Sequence, residues 1–525
     1  MKRNWHLALL GISTAMAAGC GADMGAEMGA DDEENVASAQ QKEVYDCGEF
    51  TATDISSIKF NQELLITDLS VVNDTPTGGC RTSWNKGGCA TGTQNVWHFW
   101  YVMQQMAGTN NVTKFVLRWL ESMLQWPHPV NGQFLDPRPG IRTLVIDPWM
   151  QATNTLNGNT NCKLGKLIDD PLNASCQLDP NSAPFRLLAV VNRMDLKSNT
   201  AGPYGGGNAG EGRLVFGFYR QTSTKPAIQG TVIFEYKLPT FDPFFFTNSD
   251  APTPLGWANL WHGLGGTTTF GAAFNNKLAT ITQQFVTAGS DDNGFNLGSA
   301  ISQVRVNERE FDENKPEQFP APQVDERQWS LREFKLGCHP GVPCDGNALQ
   351  LVPVTVAQAP GNQHDDTAQL ESFLNTNASS ILDESHEVPA MISTPGGFVP
   401  FLGAESRSNQ FLEGPFEWST LNPLANPSTA TDTLRLFALN TCNGCHYRET
   451  QTNNLHITSR ASGAASTLSE FLSMDPNDDW GQEMPFTDSS GATVRYNEPR
   501  RRVCELLWTL DGNAGRLTEG SGRVH

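Results

Sequence analysis

Cys442, Cys445 and His446 are the residues of this 525-residue chain best suited to chemistry. They stand in the run Cys442-Asn443-Gly444-Cys445-His446, which reads C-x-x-C-H. An offset of three residues is about one helical turn, so both thiols project from the same side. Two sulfurs so placed can form thioethers with the two vinyl groups of one porphyrin, and the next residue can turn an imidazole beneath the iron. The spacing therefore predicts one covalent haem c, with Cys442 and Cys445 as anchors and His446 as proximal ligand. Two other readings compete. Cys442 and Cys445 could form a disulfide, although no βαβ strand of the thioredoxin kind precedes them. They could also hold a metal ion, for which His446 and His456 are the nearest further ligands.

An iron held on one side needs a partner on the other or an open site. His456, Met474 and Met484 follow the motif. His456 lies between Leu455 and Ile457, a pattern that turns its ring inward. Met474 closes a helix expected to begin at the capping box Thr467-Leu468-Ser469-Glu470 and to stop at Asp475-Pro476. Met484 precedes Pro485 in a loop. His456 is the first candidate and Met474 the second. A Met ligand would raise the reduction potential relative to two imidazoles, and an open position would admit peroxide or small ligands.

The elements that must position the motif are legible around it. Thr433-Leu434-Arg435-Leu436-Phe437-Ala438-Leu439 is an amphipathic run entering it, with Asp432 as a candidate cap. Pro499 to Leu510 reads as a helix with Pro in its first turn. An entering helix, the C-x-x-C-H and a closing helix resemble class I cytochrome c domains over residues 430–525. That resemblance implies a small, mainly α domain that passes single electrons. The family more often places its distal Met about sixty residues on, and no Met stands there, the last being Met484.

Before this tail, residues 46–415 read as a mixed α/β body, so the fold class is α+β with a cytochrome-like tail. Apolar runs at 143–146, 186–191, 213–218 and 231–236 predict strands covered on both faces. Further strands are expected at 331–334 and 351–356. Helices are expected over 96–126, 254–286 and 366–382. Residues 386–429 are rich in Pro, Gly and turn formers. The hydrophobic fraction of 38% and charged fraction of 18% exclude a coiled coil and a charge-dominated disordered chain. Lys and Arg number 36 against 56 Asp and Glu, a net charge of −20, which argues against nucleic acid as a partner.

The first residues read as an export signal. Lys2 and Arg3 precede a short apolar core, Leu7 to Ile12, too short to span a bilayer. Ala17-Ala18-Gly19-Cys20 resembles the bacterial lipobox, which implies removal of residues 1–19 and a lipid anchor on Cys20. An ordinary secretory signal cut near Ala18 is the alternative. Residues 20–45, with Asp31-Asp32-Glu33-Glu34, read as an acidic tether. Both readings export the chain, and the lipobox places it on a membrane of the bacterial envelope. Of 11 cysteines, eight remain after Cys20, Cys442 and Cys445 are set aside. Cys80/Cys89, Cys162/Cys176 and Cys338/Cys344 suggest close pairs and leave Cys47 with Cys504, as fits an oxidising compartment.

Other signals carry less. Gly205-x-Gly207-x-x-Gly210 precedes a strand rather than a helix and so reads as a hairpin loop. Asp291-Asp292-Asn293-Gly294 lacks the later Glu of a calcium loop. Arg193, Asp195, Glu211 and Arg213 read as a salt-bridge cluster at strand ends. The sequence thus predicts an exported lipoprotein that carries electrons through one haem to a redox partner it does not name. The rivals are a haem-dependent oxidoreductase with its substrate site in the body, and a non-catalytic surface or adhesion lipoprotein.

Overall fold

Three of the apolar runs form the middle of one sheet. β2 (Phe185–Arg193), β3 (Glu211–Phe218) and β4 (Gly230–Lys237) pair antiparallel in sequence order. With β1 (Leu65–Ile66), β5 (Ile301–Glu308), β6 (Ser330–Cys338), β7 (Leu349–Val354) and β10 (Ser406–Arg407) they make an eight-stranded sheet in the order β1-β2-β3-β4-β5-β6-β10. β7 and β10 share the outer edge of β6, with a separate hairpin of β8 (Met391–Thr394) and β9 (Gly397–Pro400) between them in sequence, and every pairing is antiparallel. The computed structural model describes residues 47–512 except 49, 75–78, 109, 159–161, 163–175, 198–208, 221–226, 241–251, 268, 291–298, 310, 312–328, 341–348, 366, 408–426, 447–449, 453–454, 462, 479–481 and 488–492. Cys20, the signal and the tether lie outside those residues, as do Cys344 and the Asp291 turn. Among the described residues no helix is long and apolar enough to cross a membrane.

Because side chains alternate along a strand, the register sorts the sheet into two unlike faces. On one face Val190, Leu214, Phe234, Val304 and Phe334 stand side by side across five strands. Helices cover this face. Phe99, from the helix Phe99–Ala107, stacks on Phe185 at 3.8 Å, and Trp119, from Val112–Leu124, meets Phe334 edge-on at 6.4 Å. Phe285, from Ala272–Val286, packs on Tyr236 at 5.4 Å. This is the apolar core.

The opposite face is buried too, but it is charged. Val191, Arg213, Glu235 and Gln303 form one row, and Val215, Ile233, Arg305 and Glu333 the next. Cations and acids oppose each other across strands, and Arg213 and Arg305 both bond Glu235, at 3.3 and 3.4 Å. Such a face stays out of water only if each charge keeps its partner.

The covering layer is the C-terminal segment. Glu49–His525 forms one compact unit. Ser459 donates its hydroxyl to Gly230 O at 2.6 Å, and Arg460 reaches Leu187 O at 3.2 Å. From the helix Glu498–Leu510, Arg501 pairs with Asp195 at 2.8 Å and Glu505 with Lys197 at 3.1 Å. That helix is capped by Asn497, which accepts from Arg500 N, and has Pro499 in its first turn as the sequence implies. The tail also carries a hairpin, β11 (Gln482–Thr487) with β12 (Thr493–Tyr496).

The elements differ from expectation in several places. Residues 143–146 are no strand but part of a π-helical turn, Arg142–Ile146, that runs into the helix Asp147–Asn157 with Pro148 at its start. The expected helix over 96–126 is broken at Gly108, whose φ is +57°, into Phe99–Ala107 and Val112–Leu124. Residues 254–286 also divide, into Pro254–Gly265 and Ala272–Val286, and 366–382 into Ala368–Thr376 and Ala378–Leu382. The helix before the motif begins at Pro427, so Asp432 lies inside it, 3.8 Å from Arg435, and caps nothing.

Candidate functional site

The helix Pro427–Leu439 is anchored by Leu436 and Phe437, which pack with Leu370, Phe373 and Phe401. It ends at Asn440, whose side-chain amide donates to Leu436 O at 2.9 Å. The chain then winds one further turn, Cys442–Cys445, closed by Cys445 N on Thr441 O and His446 N on Cys442 O, both at 2.9 Å. The Thr450 hydroxyl bonds Cys445 O beneath it. Both thiols are therefore fixed one turn apart against the charged face of the sheet, with Cys442 among Trp329, Leu331, Val356 and Ala359.

Cys442 is 3% exposed and Cys445 1%. Every other described cysteine is disulfide-bonded, including Cys80–Cys89 and Cys162–Cys176, whereas these two are free. Burial pushes the Cys442 thiol up to about 12 and raises Cys445 as well, which leaves both protonated at neutral pH. Such thiols are poor nucleophiles.

Both histidines meet here. His446 lies against the indole of Trp329 at 5.1 Å, the planes 22° apart, and Trp329 donates its N–H to Asn307 Oδ1 at 2.6 Å. The His456 ring centre is 4.7 Å from that of His446. Its Nδ1 is 2.9 Å from Ser469 Oγ and its Nε2 3.4 Å from Cys445 Sγ. Phe471 flanks it at 5.1 Å and stacks in turn on Tyr496. Ser469 sits at the N-cap of the single turn Glu470–Ser473, so the expected capping box at Thr467 does not form.

These groups border one cavity of about 90 Å³ between the charged face and the tail. Apolar walls come from Val215, Ile233, Ile457, Phe471 and Leu472, and Cys442, Cys445, His446 and His456 all face it. Met474 is not among them. It lines a separate surface hollow with Glu470, Ser473, Asp475 and Asp478, and Met484 lies on β11.

The donor set distinguishes the three chemistries. A tetrahedral zinc site would draw four ligand atoms to within about 4 Å of one another. Among the described residues, no group of three that includes Cys442, Cys445, His446 or His456 lies within 4.8 Å. A disulfide would join the sulfurs, and they are free. A haem needs the sulfurs at its rim rather than on its metal, an imidazole from the next residue and apolar walls, and these residues offer those three. Cys442 and Cys445 would hold it covalently and His446 would ligate it.

Sequence reasoning missed Trp329, Asn307 and Ser469. Trp329 immediately precedes β6 and Asn307 belongs to β5, both far from the motif in sequence, and only the sheet brings them under it. The salt-bridge cluster was readable: Arg193 bonds Asp195 through two nitrogens at 2.9 and 2.8 Å, and Arg213 bonds Glu211 at 2.7 Å. No protein-family model, curated protein or solved structure matches the chain.

Proposed function

We propose that the protein is an exported envelope lipoprotein that binds one covalent haem c and transfers single electrons. The observation that carries this reading is the pair of free, buried thiols one helical turn apart, followed by His446, with the His456 ring centre 4.7 Å from that of His446. In a chain whose other described cysteines are disulfide-bonded, two free neighbours imply another use for those sulfurs.

A bound haem supplies reversible one-electron chemistry at its iron. The chain does the rest. Cys442 and Cys445 fix the porphyrin rim to one turn of backbone. His446 would ligate the iron, with the Trp329 indole against its ring. His456 would be the second ligand, its Nδ1 at 2.9 Å from Ser469 Oγ and its Nε2 giving up the 3.4 Å contact with Cys445 Sγ to reach the iron. Leu472, Phe471 and Ile457 exclude water. The cytochrome-like segment 430–525 works as the cover of the sheet, and Cys20 carries the lipid that ties the chain to the membrane.

The test is a haem stain on a denaturing gel and a pyridine haemochrome spectrum, both on protein matured in an exporting host with working haem-attachment machinery. One haem per chain is expected, lost in Cys442→Ala and Cys445→Ala. Protein that matures without tetrapyrrole would falsify the proposal.

A further inference from the structure

Three rings meet just beyond the last residue of β6. The Trp126 ring lies 5.4 Å from that of His128 and 5.5 Å from that of His339, and the two imidazoles stand 5.1 Å apart, each pair edge to face. The sequence builds half of this cluster locally. Trp126-Pro127-His128-Pro129 follows the helix Val112–Leu124, and each Pro confines the residue before it to an extended backbone. In an extended chain residues two apart share a side, so the indole and the His128 ring project together. Trp126 is buried with Val130, Leu135 and Ala404. The sheet delivers the other half, because His339 directly follows Cys338, the end of β6, which a disulfide ties down.

One of the imidazoles is already set for ligation. His339 Nδ1 lies 2.9 Å from Pro340 O. A carbonyl oxygen only accepts, so Nδ1 carries the proton and the neutral ring keeps its lone pair on Nε2. That Nε2 is buried and has no hydrogen-bond partner. A histidine bonded to a backbone carbonyl through one nitrogen, with the lone pair of the other unused, has the form in which histidine binds metal ions. A buried acceptor left without a donor is destabilising, and an ion at that nitrogen would remove the penalty.

We infer that His128 and His339 bind one Cu(I) ion, with the Trp126 ring as the third wall of the site. Imidazole donors suit copper, zinc, nickel and iron rather than magnesium, calcium or manganese. Zinc takes three or four protein ligands. Among the described residues no third His, Cys, Asp or Glu joins this pair within 4.8 Å. Cu(I) is satisfied by two or three ligands. Imidazole nitrogens bind such ions at about 2.0–2.1 Å, so two rings sharing one ion at a bent angle stand roughly 5 Å apart, as these two do. The face of an indole within ~6 Å attracts a cation as well. None of the three residues belongs to the C-terminal tail, so the site stands apart from the haem reading.

The test uses the full chain, stripped of metal by a chelator and titrated with Cu(I) in the absence of oxygen, with bicinchoninate as the coloured competitor. One Cu(I) per chain is expected, and it should persist in Cys442→Ser/Cys445→Ser, which removes the two free thiols. X-ray absorption of that double variant should show imidazole nitrogen around the copper and no sulfur. His128→Gln and His339→Gln are each expected to weaken binding about a hundredfold or more, since loss of an orienting partner alone costs roughly 10- to 100-fold. Two substitutions on separate segments keep the test open if one of them does not fold by circular dichroism. No copper held against the competitor, an affinity that survives both substitutions, sulfur in the absorption spectrum, or displacement of the copper by an equal amount of Zn(II) overturns the site. A negative haem stain bears on the tail alone and leaves this titration unaffected.

Discussion

Ser469 Oγ lies 2.9 Å from His456 Nδ1. The serine occupies a helix N-cap, yet its side chain accepts no bond from that helix. The backbone position is that of a cap while the hydroxyl serves another residue. A cap hydroxyl withdrawn from its helix forgoes about 1 kcal/mol, and what it secures is one orientation of an imidazole beside two thiols.

Ser469→Ala is therefore expected to loosen His456 without removing it. In haem-loaded protein the ferric visible spectrum should gain a high-spin component, and added imidazole should reverse it. Losing such an orienting bond weakens ligation roughly 10- to 100-fold. A spectrum identical to wild type would deny Ser469 this role.

His456→Ala and Met474→Ala separate the two candidates for the distal position. His456 borders the cavity and Met474 lines a different hollow. The first substitution should convert the haem to a high-spin form, and the second should leave the spectrum as it was. The opposite result would give the iron to Met474 and require the turn Glu470–Ser473 to move.

The thiols offer a measurement that precedes any haem. With Cys442 raised to about 12, its thiolate fraction at pH 8 falls roughly a thousandfold below that of an ordinary cysteine. Alkylation of folded, haem-free protein by iodoacetamide should be slower by at least that factor than in urea, read by mass spectrometry of the peptide holding both residues. Equal rates would mean that the turn is open to solvent.

How much of this was readable beforehand depends on the face in question. β2, β3 and β4 announced themselves because one face is wholly apolar and the other interleaves Val191, Val215 and Ile233 with its charges. β5 did not, because Gln303, Arg305 and Asn307 resemble a solvated strand face, and only the tail that buries them makes them interior. The run 143–146 misled for the opposite reason. Its β-branched residues fit a strand locally, and the helix that follows recruits them. At the site, C-x-x-C-H and His456 could be found by spacing. Trp329 and Asn307 could not, since no local pattern links residue 329 to residue 446.

The charged face makes the fold sensitive to acid. Asp195 and Glu498 have depressed carboxyl pKa values, so the stability they contribute is complete above the unfolded values near ~4 and is lost as pH falls from there toward their folded values. Melting temperature should stay level from pH 7 to about 5 and drop steeply below about 4. Asp195→Asn should flatten that drop while lowering stability at pH 7, because Arg193 and Arg501 would lose their shared counter-charge. A wild-type curve with no slope below pH 4 would remove these pairs from the energetics of the fold.

Trp329 tests the floor beneath His446. Trp329→Phe keeps a ring but strands Asn307 Oδ1, at a cost of about 1–3 kcal/mol, and Trp329→Ala adds a void, for about 3–5 kcal/mol. Chemical denaturation should rank wild type above Phe and Phe above Ala. Indistinguishable midpoints would mean that the indole is not the support its contacts describe.

The turn that carries both sulfurs is sealed beneath the last stretch of the polypeptide, and this imposes a timetable on biogenesis. If a haem is joined to those sulfurs as proposed, the attachment must come before the final helix locks down over the sheet. A variant that accelerated docking of that helix would then mature less completely, however stable its end product.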